Sequence, residues 1–258
     1  MAKFAKSADR GEAMEKSPEN SLRRRRYYFY LDEEDAPSLE AGEASPPPQT
    51  KVKMANPGPL GLLGFGMTTV LLNLHNTGHY QLTTAVLAMG IFYGGIAQVV
   101  AGILEYFRGN TFAYVAFASY GSFWLSLVGV WLLPNKSRDA AQIPFATDPY
   151  FLGVYLLLWG IFTFVMLICT LRTNLGLITV FFTVTILFLM LAAGNMSGSS
   201  TTLKVAGYEG IFCGISALYL AFAEIVNETY GRELIPIIPI EKLFAKEKER
   251  SDSANAPV

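Results

Sequence analysis

The chain has 258 residues, of which 52% are hydrophobic, and its formal net charge is −1. This near-neutral charge does not indicate a nucleic-acid-binding protein, and the hydrophobic fraction exceeds the about 45 to 50% of an ordinary soluble domain. Charge is also unevenly placed, since only ten Asp, Glu, Lys or Arg residues lie between Asn56 and Asn227. So long a segment with so few charges predicts an integral membrane domain between two charged ends.

The first 55 residues have the composition of a disordered segment. They carry ten basic and ten acidic side chains and a proline run at Pro46, Pro47 and Pro48. Such a segment has too little apolar surface to offset the loss of chain entropy on folding. We therefore expect residues 1–55 to be a charged cytoplasmic tail, residues 56–229 to be the membrane domain, and residues 230–258 to be a second charged cytoplasmic tail.

Six apolar stretches follow one another in the membrane domain. Each is near the about 20 residues that a helix needs to cross about 30 Å of hydrocarbon. Several are separated by short connections or by turns rich in Gly, Asn and Ser. We predict an all-α membrane protein with a six-helix bundle, formed by residues 59–78, 82–107, 112–133, 150–171, 175–194 and 207–227.

The distribution of Lys and Arg predicts the orientation of this bundle. An even number of spans places both termini on one side, and cytoplasmic sides carry the excess of basic residues. The basic residues near span ends on the side of the termini are Lys51, Lys53, Arg108, Arg172, Arg232 and Lys242. The opposite loops hold Lys136, Arg138 and Lys204. We therefore expect both termini to be cytoplasmic.

One glycosylation pattern lies in a predicted outer loop. It begins at Asn135, which is followed by Lys136 and Ser137. An Asn-X-Ser sequence is an acceptor when it lies in an accessible loop of an exported segment. Because Asn135 adjoins the end of the third predicted span, we expect it to remain unmodified.

Three ionisable side chains inside the predicted spans need an explanation. A charged side chain at the bilayer centre costs at least about 2.5 to 3.5 kcal/mol on insertion scales. Glu105 and Glu224 lie near cytoplasmic span ends, where Arg108 or Arg232 can pair with them, and His75 can form interfacial hydrogen bonds. The alternative is proton coupling, for which Glu224 is the first candidate and Glu105 and His75 are the others.

Neutral polar side chains form stripes on three predicted helices. At about 100° per residue, Phe65, Thr69, Asn73 and Asn76 share one face of the first helix. The other stripes are Ser119, Ser122 and Ser126 beside Tyr120 on the third helix, and Thr179 with Thr183 on the fifth. Together with Gln98 and Asn195 they could line a polar lumen, but Ser and Thr hydroxyls equally bond their own helix backbone. Both interpretations remain open on the sequence alone.

The first predicted helix has a distinctive start, the sequence Asn-Pro-Gly-Pro-Leu-Gly-Leu at residues 56–62. Asn56 in the N-cap position followed by a proline at the first helical position predicts a sharp helix start. The N-terminus of a helix offers free N–H groups and the positive end of its dipole to a carboxylate. Because Pro57 and Pro59 lack N–H groups, this attraction is weaker here than at other helices.

These residues resemble the opening motif of the acetate uptake transporter family, which includes the bacterial succinate/acetate permease and fungal acetate and ammonia-export proteins. The family motif, Asn-Pro-(Ala or Val)-Pro-Leu-Gly-Leu, differs from this chain at Gly58. Similarity continues through residues 64–69, 92–98, 105–106, 108–112, 119–124, 194–195 and 223–228. The resemblance thus covers most of residues 56–236.

The resemblance implies a ring-shaped homo-oligomer, described as a hexamer in bacterial relatives, with a substrate path inside each six-helix protomer. It also implies a hydrophobic constriction at Phe65, Tyr120 and Val184, where relatives carry leucine at the last position. We expect the remaining path residues to be Asn56, Thr69, Asn73, Asn76, Gln98, Ser119, Ser122, Thr179, Thr183 and Asn195.

From this resemblance, residues 56–229 are expected to transport acetate and similar short-chain carboxylates across the plasma membrane, linked to protons. A passive anion channel and an ammonium-exporting or nutrient-sensing membrane protein are the alternatives. An enzyme is not expected, because the sequence has no GxSxG motif, metal-ligand cluster, Cys/His pair or phosphate-binding loop. We expect no metal and no cofactor, and the partners are a small carboxylate, membrane lipid and further copies of the chain.

Overall fold

A computed structural model of the chain describes residues 54–133 and 147–241. These ranges contain six long helices: α1 Gly58–Asn76, α2 Thr84–Phe107, α3 Thr111–Leu132, α4 Pro149–Thr170, α5 Leu175–Ser197 and α6 Ser200–Tyr230. They contain no β-strand, only an isolated antiparallel bridge between Asn174 and Pro239. The predicted all-α fold is confirmed, although α6 begins seven residues earlier than predicted. The predictions for residues 1–53, for Lys242 and for the site at Asn135 fall outside the described ranges.

Five of the helices, α2 to α6, are long and apolar enough to cross a membrane. Many of their outward side chains are large and apolar, such as Leu158, 64% exposed, and Phe182, 54% exposed. Helix α1 has 19 residues, about 28 Å of helix, but it lacks an apolar stretch as long as those of the other five helices. Its Thr68, Thr69 and Asn73 are buried against neighbouring helices, so α1 is the polar inner member of the bundle.

Short polar side chains fix where four helices begin. Asn110, Asp148, Asn174 and Ser199 each precede a helix and accept a hydrogen bond from a free N–H group of its first turn. Helix α5 ends at Gly198, whose φ of 65° is left-handed, and α6 starts two residues later. These caps explain why the turns lie where Asn, Asp, Ser and Gly interrupt the apolar stretches.

The first and last helices pack most closely on each other. A Cβ atom added at Gly214 of α6 would lie 2.8 Å from the Gly66 carbonyl oxygen of α1, and one at Gly66 would lie 2.9 Å from the Gly214 carbonyl oxygen. Glycine at both positions allows the two backbones to touch. Helix α2 packs on α1 and α3, α4 packs on α5, and α5 packs on α6. The helices thus surround a central space in the order α4, α5, α6, α1, α2, α3.

The circle closes between α3 and α4 through side chains. The backbones of these two helices scarcely approach each other. Ring contacts span the gap, with centroids 5.2 Å apart for Phe123 and Trp159, 6.0 Å for Phe123 and Tyr155, and 6.5 Å for Tyr120 and Trp159. We call these four side chains the aromatic seam. It is the part of the wall that no backbone packing holds together.

Helix α2 is interrupted by a six-residue π-helical segment, Phe92–Ala97. The span predicted over residues 82–107 is one helix in the structure, and the prediction did not foresee its π-helical turn. Gly94 and Gly95 permit close approach there, since a Cβ at Gly94 would lie 2.8 Å from Thr68 Oγ1. π-Helical turns inside α-helices are frequent at functional sites. The segment ends immediately before Gln98, which is buried in the bundle.

After α6 the chain folds back onto the bundle through residues 234–240, the first part of the predicted C-terminal tail. The Asn227 side chain accepts hydrogen bonds from the N–H groups of Leu234 at 2.7 Å and Ile235 at 2.9 Å. The Leu175 N–H group donates to the Ile238 carbonyl oxygen at 2.9 Å. This segment therefore ties the end of α6 to the start of α5.

Candidate functional site: two vestibules and an aromatic barrier

A cavity of about 310 Å³ opens at the end of the bundle where α1 begins, and we call it the Asn56 vestibule. Its polar lining comes from the segment before α1, from α2, from the turn between α2 and α3, and from α6, and it comprises Asn56, Gln98, Glu105, Arg108, Asn110 and Glu224. Its apolar depth includes Phe65, Tyr120, Phe181 and Val184. Charged and amide groups thus surround the mouth, and aromatic and aliphatic groups form the floor.

A hydrogen-bond network centred on Asn56 crosses the mouth of this vestibule. Arg108 Nη1 donates to Asn56 Oδ1 at 2.7 Å and to Glu105 Oε1 at 3.1 Å. Asn56 Nδ2 donates to Glu224 Oε2 at 2.9 Å. One carboxamide therefore links a cation from α2 to a carboxyl group from α6. An anion that reaches the mouth meets the Arg108 guanidinium between two acidic side chains.

The two carboxyl groups of this network differ in their surroundings. Glu105 is 1% exposed and pairs with Arg108, as we predicted, yet its Oε2 atom has no hydrogen-bond partner among the described residues. Glu224 is partly exposed, and its carboxylate accepts a hydrogen bond from Asn56 rather than from the predicted Arg108 or Arg232. Hence the Glu105 carboxyl group is paired directly with Arg108. The Glu224 carboxyl group joins the same network through the Asn56 amide.

The start of α1 differs by one residue from the prediction. Pro57 occupies the N-cap position and the helix begins at Gly58. Asn56 still satisfies one free donor, because its Oδ1 atom accepts from the Gly58 N–H group at 3.1 Å. Pro59 has no N–H group to offer. Arg108 is therefore the main donor for an anion at this mouth, and the helix terminus adds little.

The floor of the Asn56 vestibule brings together the three residues of the predicted constriction. The rings of Phe65 and Tyr120 are 5.9 Å apart, and Val184, 2% exposed, lines the same cavity. Phe181, whose ring lies 6.0 Å from that of Tyr120, belongs to the same apolar layer. The Tyr120 hydroxyl donates to Thr163 Oγ1 at 3.0 Å, which anchors the ring to α4. Their role as a gate remains a prediction.

A second cavity, of about 420 Å³, lies at the opposite end of the bundle, and we call it the His75 vestibule. Its polar lining consists of His75, Asn76, Asn195, Ser200 and Lys204. Phe123, Leu72 and Leu191 are among its apolar residues. His75 Nδ1 lies 2.9 Å from the Tyr80 carbonyl oxygen, a contact typical of the interfacial role that the sequence left open.

Only a thin layer separates the two vestibules. Tyr120 lines one and Phe123 lines the other, and three residues of α3 span about 4.5 Å along the helix axis. On α1, Thr69 lies between Phe65 and Leu72, and its buried Oγ1 atom has no partner among the described residues. We call this layer, formed by the rings of Phe65, Tyr120 and Phe123 with Val184, the aromatic barrier.

The remaining predicted path residues divide between the cavities and the helix backbones. Asn73, beside Thr69, donates to the Thr69 carbonyl oxygen at 2.9 Å and accepts from Asn76 at 2.9 Å. Four others line neither vestibule: Ser119, Ser122, Thr179 and Thr183. The hydroxyls of the last three bond carbonyl oxygens of their own helices. These three bonds are those of the backbone-bonding alternative, and a role of the four residues in the path remains a prediction.

Several residues of this region were missed from the sequence. Thr163 holds Tyr120, Phe181 extends the barrier, and Lys204 lines the His75 vestibule. Glu209 of α6 places both carboxylate oxygens in buried positions with no hydrogen-bond partner among the described residues. A charged residue inside the predicted span 207–227 was the signal that could have identified it.

Comparison with known proteins connects this architecture to a family. Residues 38–242 match the model of the GPR1/FUN34/yaaH family. The chain belongs to this family. The succinate-acetate/proton symporter SatP of Escherichia coli K12 is 54% identical over 185 residues, which are 72% of this chain and 96% of that protein. The ammonia transport outward protein 2 of Saccharomyces cerevisiae is 35% identical over 177 residues, which are 68% of this chain and 63% of the yeast protein.

A solved structure supports the same assignment to the GPR1/FUN34/yaaH family. The bacterial acetate channel SatP is 54% identical to this chain and aligns with a TM-score of 0.68. The alignment covers 72% of this chain and 99% of the bacterial chain. Both vestibules and the aromatic barrier lie within the residues that match the family model. The resemblance to acetate transporters that the opening motif indicated is confirmed.

Proposed function

We propose that this protein transports acetate and similar short-chain carboxylates across the plasma membrane, with proton linkage. The observation that carries the proposal is the pair of vestibules at opposite ends of one bundle, separated by the aromatic barrier. Such an arrangement needs only a local opening to become a continuous path. The similarity to a succinate-acetate/proton symporter and to an acetate channel supports the choice of substrate.

The chemistry of the Asn56 vestibule suits a small monocarboxylate. A carboxylic acid that titrates near the Glu value, about 4.3, is over about 99% anionic at pH 7, and the bare bilayer excludes it. Arg108, Asn56 and Gln98 can replace part of its hydration shell with N–H donors. The apolar barrier beyond them then admits small, weakly hydrated anions more easily than large or doubly charged ones.

In this proposal the Asn56 vestibule faces the cytoplasm and each protomer of a ring-shaped homo-oligomer, a hexamer by resemblance, has its own path. Among the described basic residues, Arg108, Arg172 and Arg232 lie at the end of the bundle where α1 begins, and Lys204 lies at the other. This bias supports cytoplasmic termini. The apolar outer faces of the helices suit contact with lipid and with neighbouring protomers. The activity is transport rather than catalysis.

A reconstitution experiment tests the proposal. Purified protein in liposomes should take up labelled acetate, and an inward proton gradient should raise uptake above the level set by the acetate gradient alone. Phe65→Ala should change the rate or the size selectivity, whereas Phe164→Ala, at an exposed position of α4, should leave both unchanged. Uptake no greater than in empty liposomes would refute the proposal.

Two alternatives are separated by the same preparation. The similar solved structure is described as a channel. A passive channel would conduct acetate but would not accumulate it when only a proton gradient is applied. An ammonium exporter, suggested by the yeast relative, would release internal ammonium and show no saturable acetate uptake. Accumulation of acetate driven by the proton gradient, without ammonium release, favours the symporter.

A further inference from the structure

Glu209 is a partly buried acidic residue of α6 that the proposed pathway does not use. It follows Ser200, the first residue of α6, by nine residues, or about 14 Å of helix. Both of its carboxylate oxygens are shielded from solvent, and neither has a hydrogen-bond partner among the described residues. Buried polar groups without partners are rare in native structures, and an ionisable one inside a membrane usually has a function.

The groups around Glu209 do not supply a counter-charge. Helix α6 packs on α1 and α5. Helix α5 contains no ionisable side chain, and α1 contains only His75, which bonds the Tyr80 carbonyl oxygen. On α6 itself Tyr208 adjoins Glu209 and its hydroxyl lies 2.8 Å from His79 Nε2, Lys204 is five residues away, and the fully buried Cys213 thiol is one turn away. None of these groups hydrogen-bonds the Glu209 carboxylate. An ionised carboxylate in this place would be far costlier than the neutral acid, which carries one proton.

Glu209 is also close to the aromatic barrier. Cys213 is fully buried one turn from Glu209, and the next residue, Gly214, lies against Gly66, which follows the barrier residue Phe65. Four residues separate Glu209 from Cys213, about 6 Å of helix. Glu224, which lines the Asn56 vestibule, follows Glu209 by fifteen residues, about 22 Å. Helix α6 therefore carries carboxyl groups on both sides of the barrier.

We propose that Glu209 is the proton-binding side chain that couples carboxylate movement to proton movement, an inference that rests on the proposed transport function. The carboxylate takes one proton from the His75 side and is then neutral, as its surroundings require. When the barrier opens for the anion, water reaches the level of Tyr120 and Cys213. The hydrated carboxyl group then releases its proton to that water, and the proton leaves with the anion toward the Asn56 side.

The test compares Glu209→Gln, which is neutral and nearly isosteric, with Glu228→Gln as the matched control. Glu228 lies on the same helix in an exposed position near its end. In liposomes, Glu209→Gln should keep acetate flux down an acetate gradient within about twofold, as expected for a change that conserves volume. It should lose the additional accumulation driven by a proton gradient and the acetate-dependent proton uptake reported by an internal pH dye. Glu209→Asp should retain both coupled signals in part.

Infrared spectroscopy gives a second readout that does not require transport. The purified wild type at neutral pH should show the carbonyl band of a protonated carboxylic acid, which Glu209→Gln removes, Glu209→Asp shifts and Glu228→Gln leaves unchanged. The proposal would be overturned if Glu209→Gln accumulated acetate as the wild type does, or if it lost downhill and coupled flux in proportion. Absence of the Glu209 band from the wild-type spectrum would also overturn it. Failure of the wild type to carry acetate would refute the transport function instead, and the infrared result would still report whether Glu209 is protonated.

Discussion

The Tyr120 phenol donates a 3.0 Å hydrogen bond to Thr163 Oγ1, and the Thr163 hydroxyl donates in turn to the Trp159 carbonyl oxygen at 2.7 Å. Tyr120 is 4% exposed and Thr163 is fully buried. This chain of bonds joins a barrier residue of α3 to the backbone of α4, between helices whose backbones scarcely meet. Thr163 is therefore the acceptor that holds the Tyr120 hydroxyl, while ring contacts hold the rest of the side chain.

The two partners of this bond are expected to respond unequally to substitution. Thr163→Val leaves the Tyr120 hydroxyl buried without an acceptor, which costs about 1 to 3 kcal/mol. Tyr120→Phe costs less, because Thr163 keeps the Trp159 carbonyl oxygen as its acceptor. Thermal unfolding in detergent should rank Thr163→Val below Tyr120→Phe. The double variant should be at least as stable as Thr163→Val, and a strictly additive loss would contradict this explanation.

Val184 should control the width of the aromatic barrier. Val184→Ala shortens a side chain that lines the cavity floor, so uptake of propionate or succinate should rise severalfold relative to acetate. Val184→Leu should lower the flux of all of them, since a longer side chain fills the opening. Competition assays with labelled acetate measure both effects. Val180→Ala, one turn nearer the mouth of the same vestibule, is the control, and an equal change of selectivity there would argue against a barrier at Val184.

Arg108 should stabilise the folded protein by pairing with the buried Glu105 carboxylate. Arg108→Gln removes the cation 3.1 Å from a carboxylate that is 1% exposed. Because the arginine side chain is 32% exposed, the loss should be smaller than the about 3 to 5 kcal/mol of a fully buried pair. Glu105→Gln in the same chain should recover most of the lost stability. The yield of monodisperse protein on size exclusion measures both, and no recovery would show that Arg108 acts through Asn56 alone.

The contact between α1 and α6 should be intolerant of any side chain at Gly214. A Cβ there would lie 2.6 Å from Val70 Cγ2 and 2.8 Å from the Gly66 carbonyl oxygen, so the helices must separate. Gly214→Ala is expected to cost about 1 to 3 kcal/mol. Gly129→Ala is the control, since its Cβ would meet only Leu133, at 3.8 Å. A fluorescence-based thermal shift should fall for Gly214→Ala and stay level or rise for Gly129→Ala.

The sequence predicted the helices because apolar length leaves a strong local pattern, whereas the residues of the constriction came from the family resemblance. Apolar length located all six helices, and the family motif led to Phe65, Tyr120 and Val184. The sequence could not show which hydroxyl groups face the path. Thr183 and Ser122 have the spacing of a polar stripe, but each can bond a carbonyl oxygen of its own helix, and the sequence is the same in either case.

Other features depend on tertiary contacts that no local pattern records. The π-helical segment Phe92–Ala97 needs Thr68 and Leu125 packed against its glycines. The segment of residues 234–240 is short and follows the charged pair Arg232 and Glu233, so the sequence predicts a tail. In the structure the Asn227 side chain holds this segment against the bundle by hydrogen bonds. Sequence order also conceals that α1 and α6 are neighbours.

The aromatic seam has a consequence for how an anion passes the barrier. Since ring contacts and hydroxyl hydrogen bonds of side chains join α3 to α4, a permeating anion needs to turn a few side chains aside and need not displace whole helices. A covalent cross-link that locks α1 to α6 should therefore leave flux intact. The same cross-link would arrest a carrier that alternates by rigid-body rocking of its halves.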